Sequence, residues 1–128
     1  MRIKLAGIFV ENQDTARRFY TEVLGFQVHT DAEYAPGARW LTVVSPEEPD
    51  GTELMLDLAD GAALDFQKAS RAAGKPAISL TTDDIERDHK RLAAAGVTFV
   101  MQPTTMGYGG TDALFDDGCG NLINVHME

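Results

Sequence analysis

The sequence predicts an α+β protein built from two similar modules, on three observations. First, Leu5 to Val28 reads LAGIFVENQDTARRFYTEVLGFQV, and Ala77 to Val100 reads AISLTTDDIERDHKRLAAAGVTFV. Both segments run through an apolar stretch, a polar Asn/Asp corner, an amphipathic helix, a glycine and a second apolar stretch. Second, each copy is followed by further short apolar runs broken by Pro and Gly, with gaps too short for parallel crossovers, so antiparallel pairing follows. Third, neither half is large enough to bury a good core alone, since a unit of about 60 residues hides only about 60% of its unfolded surface. One domain over residues 1–128, with a cleft between its halves, is the expectation.

The elements follow in order. Residues 3–10, rich in Ile, Leu, Phe and Val, read as a strand. Asn12 or Asp14 can cap the next helix. Ala16, Phe19, Tyr20, Val23 and Leu24 fall on one helical stripe, and Gly25 stops it. Strands are expected at about 26–31, 39–45 and 52–58, which closes module one (about 3–58). A connecting helix at about 62–73 sets Ala62, Phe66, Ala69 and Ala73 on one side, and Gly74 ends it. Module two (about 76–127) has a strand at 77–82, an Asp83-Asp84 cap, a helix from Ile85 to Ala95 stopped by Gly96, and strands at about 97–101, 111–116 and 121–127.

Composition narrows the function. The hydrophobic share of 44% and charged share of 24% are those of an ordinary globular protein. A net charge of −9 argues against nucleic acid and anionic membrane as partners. No stretch has the length of a membrane span, and the N-terminal apolar run is too short for a signal peptide. Cys119 is the only cysteine. An internal disulfide is therefore impossible, and a reducing cytoplasm is the expected compartment. No Gly-x-Ser-x-Gly and no zinc-spaced Cys/His set occurs. The glycine-rich run Met106-Gly107-Tyr108-Gly109-Gly110 lacks the lysine of a P-loop, so phosphate binding is not expected there.

The order β-α-β-β-β, connector, β-α-β-β-β resembles the vicinal oxygen chelate superfamily of glyoxalases, extradiol dioxygenases and bleomycin-resistance proteins. The residues that carry the resemblance are FYTEVLGF at 19–26, DDIE with RLAAAGV in module two, and the closing FDDGCGNLINV. It implies one cupped, largely antiparallel mixed sheet with helices on its outer face, and commonly a homodimer. In metal-dependent relatives four strand positions hold a divalent ion, and by alignment these are Leu5, Met55, Ala77 and Asn124. Two have no donor atom, one is a thioether and one offers an amide oxygen, so no metal and no cofactor are expected.

Alternation sorts the strand faces. Ala6, Ile8, Val10, Leu54, Leu56, Leu58, Ile123, Val125 and Met127 should pack under helices. The other face should carry Leu5, Phe9, Trp40, Glu53, Met55, Asp57, Ala77, Asn124 and His126. Such a lining suits a largely apolar organic ligand, with Glu53, Asn124 and His126 orienting it and acidic residues favouring a cation. Binding and sequestering a small molecule is the leading reading. The alternative is a glyoxalase-like lyase or isomerase, or a dioxygenase-type enzyme, using Glu53, Asp57 and His126 as a rebuilt metal site or as acid–base groups. Asp57 and His126 are paired by the internal alignment and could approach each other, or could simply be solvated rim residues. His29 reads as a surface residue and His89 as half-buried packing. Cys119 lacks a neighbouring base that would make it a nucleophile. Tyr108 and Met106 sit either on a loop over the cup or on an ordinary strand connection.

Overall fold

The computed structural model describes residues 1–128, in two compact units, Met1–Asp65 and Phe66–Glu128. The fold is α+β, as the sequence predicts, and each unit hydrogen-bonds its own four-stranded mixed sheet.

The first unit comprises β1 (Leu5–Val10), α1 (Gln13–Arg18, continued by a π-helical turn Phe19–Val23), β2 (Gln27–Ala35), β3 (Ala38–Val44) and β4 (Glu53–Leu58). Asn12 caps α1, its side chain accepting from the Thr15 N–H at 2.9 Å. The helix closes where the Phe26 N–H reaches the Tyr20 carbonyl across Gly25, whose φ of 88° suits a residue without Cβ. The sheet order is β1-β4-β3-β2, with β1 parallel to β4 and the other pairs antiparallel. Ile8, Val10, Leu41, Val43 and Leu56 are buried on the face that meets α1, with Ala16 and Tyr20 fully enclosed. Leu58, expected in this layer, is 43% exposed at the end of its strand.

A β-bulge in β2 sets the edge of this sheet. Val28 pairs with Val43, but Thr30 pairs with Thr42, so His29 is the extra residue. The side chains beyond the bulge change face. Asp31 thereby meets Leu41 on the helix side, where it takes hydrogen bonds from Arg17 and Arg39, and Arg39 also bonds Asp14 of α1 at 2.6 Å. Those arginines hold the Asp31 carboxyl below its usual range, the Arg39 hydrogen bond being the largest cause.

Helix α2 (Ala62–Ala72) runs across the division between the units. Its buried residue is Gln67, not the Ala62/Phe66/Ala69/Ala73 stripe, and Phe66 is 64% exposed. The reason is the tight turn after β7, whose polar backbone needs a partner. Gln67 Nε2 donates to the Cys119 carbonyl at 3.1 Å and to Asn121 Oδ1 at 3.3 Å. Asp117 Oδ1 in turn accepts from the Cys119 and Asn121 N–H groups. A buried polar turn outweighs an alanine-rich stripe with little area to hide.

The second unit continues with β5 (Ile78–Thr81), α3 (Ile85–Ala94), β6 (Phe99–Thr105), β7 (Thr111–Asp116) and β8 (Leu122–Met127), in the order β5-β8-β7-β6. Asp84 caps α3 through the Arg87 N–H at 3.0 Å. Ile85 and Leu92 of α3 are buried, as are Ala113, Phe115, Ile123 and Val125 of the sheet. His89 packs edge-on against Phe99, the half-buried packing role expected of it.

Candidate functional site

The register shows which side chains share a face in each sheet, although Ala6 and Leu58, on the helix side by parity, are exposed. Leu5, Gly7 and Phe9 lie beside Glu53, Met55 and Asp57, and Thr42 lies beside Met55. Alternation along β3 then places Trp40 on the same helix-free face. Tyr34, at a second register shift in β2, sets its ring edge-on to Trp40 at 6.2 Å. Both rings are exposed.

The polar centre of this face is Glu53, only 9% exposed. Thr42 Oγ1 donates to its Oε1 at 2.8 Å, His29 Nδ1 lies 2.9 Å from the same oxygen, and Lys4 Nζ lies 3.4 Å from Oε2. The Thr42 hydrogen bond is the main reason this carboxyl is held below its usual range, against the upward push of burial. His29, read from sequence as a surface residue, is therefore half-exposed but tied to Glu53. Asp57 has a local role, its Oδ1 accepting from the Leu58 N–H at 3.0 Å.

In the second unit Asn124 and His126 share the helix-free face with Ser79, Asp112 and Leu114. Asn124 Nδ2 donates to Ser79 Oγ at 2.8 Å, across the parallel β5–β8 pair. Ala77 directly precedes β5, and its N–H is bonded to the Leu122 carbonyl. Within its own sheet His126 is partnered by Asp112. His126 Nδ1 lies 2.6 Å from Asp112 Oδ1, and the two residues face each other across β7 and β8. Tyr108 donates its hydroxyl to Asp112 Oδ2, and its ring lies nearly parallel to the imidazole, centroids 6.5 Å apart. Tyr108 sits on a tight turn closed by hydrogen bonds between Met106 and Gly110 and between Gly109 and Met106. The glycine-rich run thus connects β6 to β7 and delivers one phenol to a buried carboxylate.

The ionisation states follow from these contacts. The Tyr108 hydroxyl, ahead of His126, keeps the Asp112 carboxyl below its usual range although burial opposes it. Asp112 is therefore an acceptor, and His126 Nδ1 must carry the proton between them. The Asp112 hydrogen bond raises the His126 pKa, with a smaller contribution from Glu128. Both carboxylates, Glu53 and Asp112, are thus compensated within their own sheets.

The donor set at the family's metal positions does not fit a divalent ion. Leu5 and Ala77 bring no donor, Met55 brings a thioether, and the Asn124 amide is already bonded to Ser79. No group of three or more His, Cys, Asp or Glu side chains is arranged to hold a metal.

The chain belongs to the Glyoxalase/Bleomycin resistance protein/Dioxygenase superfamily, whose family model matches residues 2–125. Among individual proteins, it is 45% identical over 126 residues to the uncharacterized protein YurT of Bacillus subtilis (strain 168), covering 98% of each chain. The crystal structure of UcmS2 superposes with a TM-score of 0.85 at 32% identity, covering 98% of this chain and 97% of that one. TnmS3, described as an antibiotic binding protein from Streptomyces sp. CB03234, superposes with a TM-score of 0.78 at 27% identity, covering 99% and 95%.

The sequence missed three participants, Asp112, Thr42 and the His29–Glu53 contact. A hairpin closing at the DDGCGN turn would have set Asp112 opposite His126. Nothing in the sequence marks the bulge at His29.

Proposed function

We propose that the protein binds a small organic molecule without a metal, on the helix-free faces of its sheets. The observation that carries this reading is the donor chemistry at Leu5, Met55, Ala77 and Asn124, which leaves three apolar side chains and one amide where metal-dependent relatives place ligands. On the first sheet Leu5, Phe9, Trp40 and Met55 would supply apolar and aromatic contact beside the polar Glu53; on the second, Asn124, Tyr108 and His126 would offer hydrogen bonds. The likeness to TnmS3 supports a ligand of antibiotic type, and sequestration is the role that fits. Cytoplasmic residence and pairing as a homodimer belong to the same proposal.

The test is quenching of Trp40, the only tryptophan, by a panel of aromatic antibiotics, with calorimetry as a check. Saturable quenching at one ligand per chain is expected. A panel without a binder, together with protein that carries no organic adduct when purified, would overturn the reading.

A second reading is favoured by the Tyr108–Asp112–His126 arrangement. A histidine oriented by a buried carboxylate can move protons, so a metal-free lyase or isomerase is the enzymatic alternative. Ligand turnover that disappears in His126→Gln would select it.

A further inference from the structure

His126 presents its second ring nitrogen to a carboxylate. Nδ1 is committed to Asp112, while Nε2 lies 3.3 Å from Glu128 Oε1. The Glu128 side chain is 97% exposed, and this is the one contact found for it. A solvated carboxylate resting on an otherwise unused donor marks where an oxyanion fits. The groups around the imidazole make that donor specific. Asp112 faces it from β7, Tyr108 from the turn and Glu128 from beyond its own strand, while its β5 neighbour is the uncharged Thr81. Asp112 is enclosed and acts on a ligand through the groups it holds, His126 and Tyr108, so it is a positioning residue. Gly110 leaves room beside the ring that a Cβ would fill, at 2.6 Å from Cε1 and 3.3 Å from Nε2.

We propose that His126 Nε2 is a recognition point for the carboxylate or phenolate oxygen of an organic acid, and that Glu128 occupies it in the ligand-free protein. This rests on the small-molecule-binding reading and names the ligand class that the second sheet's face would take. A ligand oxyanion would displace Glu128 and take the Nε2 proton as its hydrogen bond. With Nδ1 held by Asp112, Nε2 carries a proton only in the imidazolium form. Affinity should therefore fall about tenfold per pH unit above the His126 pKa.

The experiment uses benzoate as the charged probe and benzyl alcohol as its neutral counterpart, followed by calorimetry and the His126 ring nitrogen resonances. Benzoate should shift Nε2 and bind with the stated pH dependence. Glu128→Gln should tighten it roughly two- to fivefold, the worth of an exposed ion pair. His126→Gln should abolish the preference for benzoate over benzyl alcohol. Asp112→Asn should lower the His126 pKa and weaken benzoate, a result that a purely structural role would not give. Benzyl alcohol binding as well as benzoate, with Nε2 unmoved, would overturn the oxyanion site and leave small-molecule binding standing. Failure of both probes, along with the antibiotic panel, would overturn both.

Discussion

Replacing Gly110 by alanine tests the construction of the His126 site from the backbone outward. Gly110 has φ 75° and neighbouring Gly109 has φ 96°, so an L-residue at either position is strained by about 1–2 kcal/mol. Their surroundings differ. A Cβ at Gly109 meets nothing within 4 Å, whereas one at Gly110 falls 2.6 Å from His126 Cε1 and 2.8 Å from the Met127 carbonyl. Relieving that overlap moves the imidazole and a strand carbonyl, which adds about 1–3 kcal/mol. For a chain of 128 residues each kcal/mol is worth roughly 4 °C in Tm. Gly109→Ala should lower Tm by about 4–8 °C and Gly110→Ala by about 8–20 °C. Calorimetry gives these shifts, and NMR titration of His126 gives the local effect. The His126 pKa should drop toward its ordinary value in Gly110→Ala, as the ring leaves Asp112, and stay raised in Gly109→Ala. Equal Tm losses with an unchanged His126 pKa in both variants would refute the packing of the turn against His126.

Other consequences are open to measurement. Stability should be greatest between about pH 4.5 and 6.5 in urea titrations. Glu53 and Asp112 have lowered pKa values in the folded state, so their contribution is present above the ordinary 4.5 and 3.8 and is lost as pH falls through the folded values. His126 is raised, so its contribution is complete below the ordinary 6.5 and is lost as pH rises through the folded value; His126→Gln should remove the alkaline decline. Thr42→Val should cost about 1–3 kcal/mol in denaturant unfolding and raise the Glu53 pKa, because Thr42 is fully buried and is the largest cause of that shift. Phe115→Ala should cost about 3–5 kcal/mol, whereas Phe66→Ser on the exposed side of α2 should stay within about 0.5 kcal/mol.

Much of the fold is legible in the chain because periodicity and punctuation agree there. Asn12 and Asp84 cap α1 and α3, and alternation in β1, β4 and β8 sorts side chains as the register does. Legibility fails where pairing is not local. The bulge at His29 sends Asp31 to the helix side, and no residue type announces it. The Ala62/Phe66/Ala69/Ala73 side of α2 stays exposed, because Gln67 turns inward to serve the polar turn at Cys119 and Asn121. At the site, chemistry at Leu5, Met55, Ala77 and Asn124 could be read directly, since it depends on donor atoms and an alignment. The partners of Glu53 and His126 could not, because they depend on which strands lie side by side.

The most direct measurement is metal content after equilibrium dialysis against nickel, zinc and manganese in turn, followed by chelator-free buffer. The account predicts binding far below one ion per chain, unchanged in Asn124→Ala and His126→Ala. One tightly held ion per chain, lost when Asn124 or His126 is replaced, would contradict it.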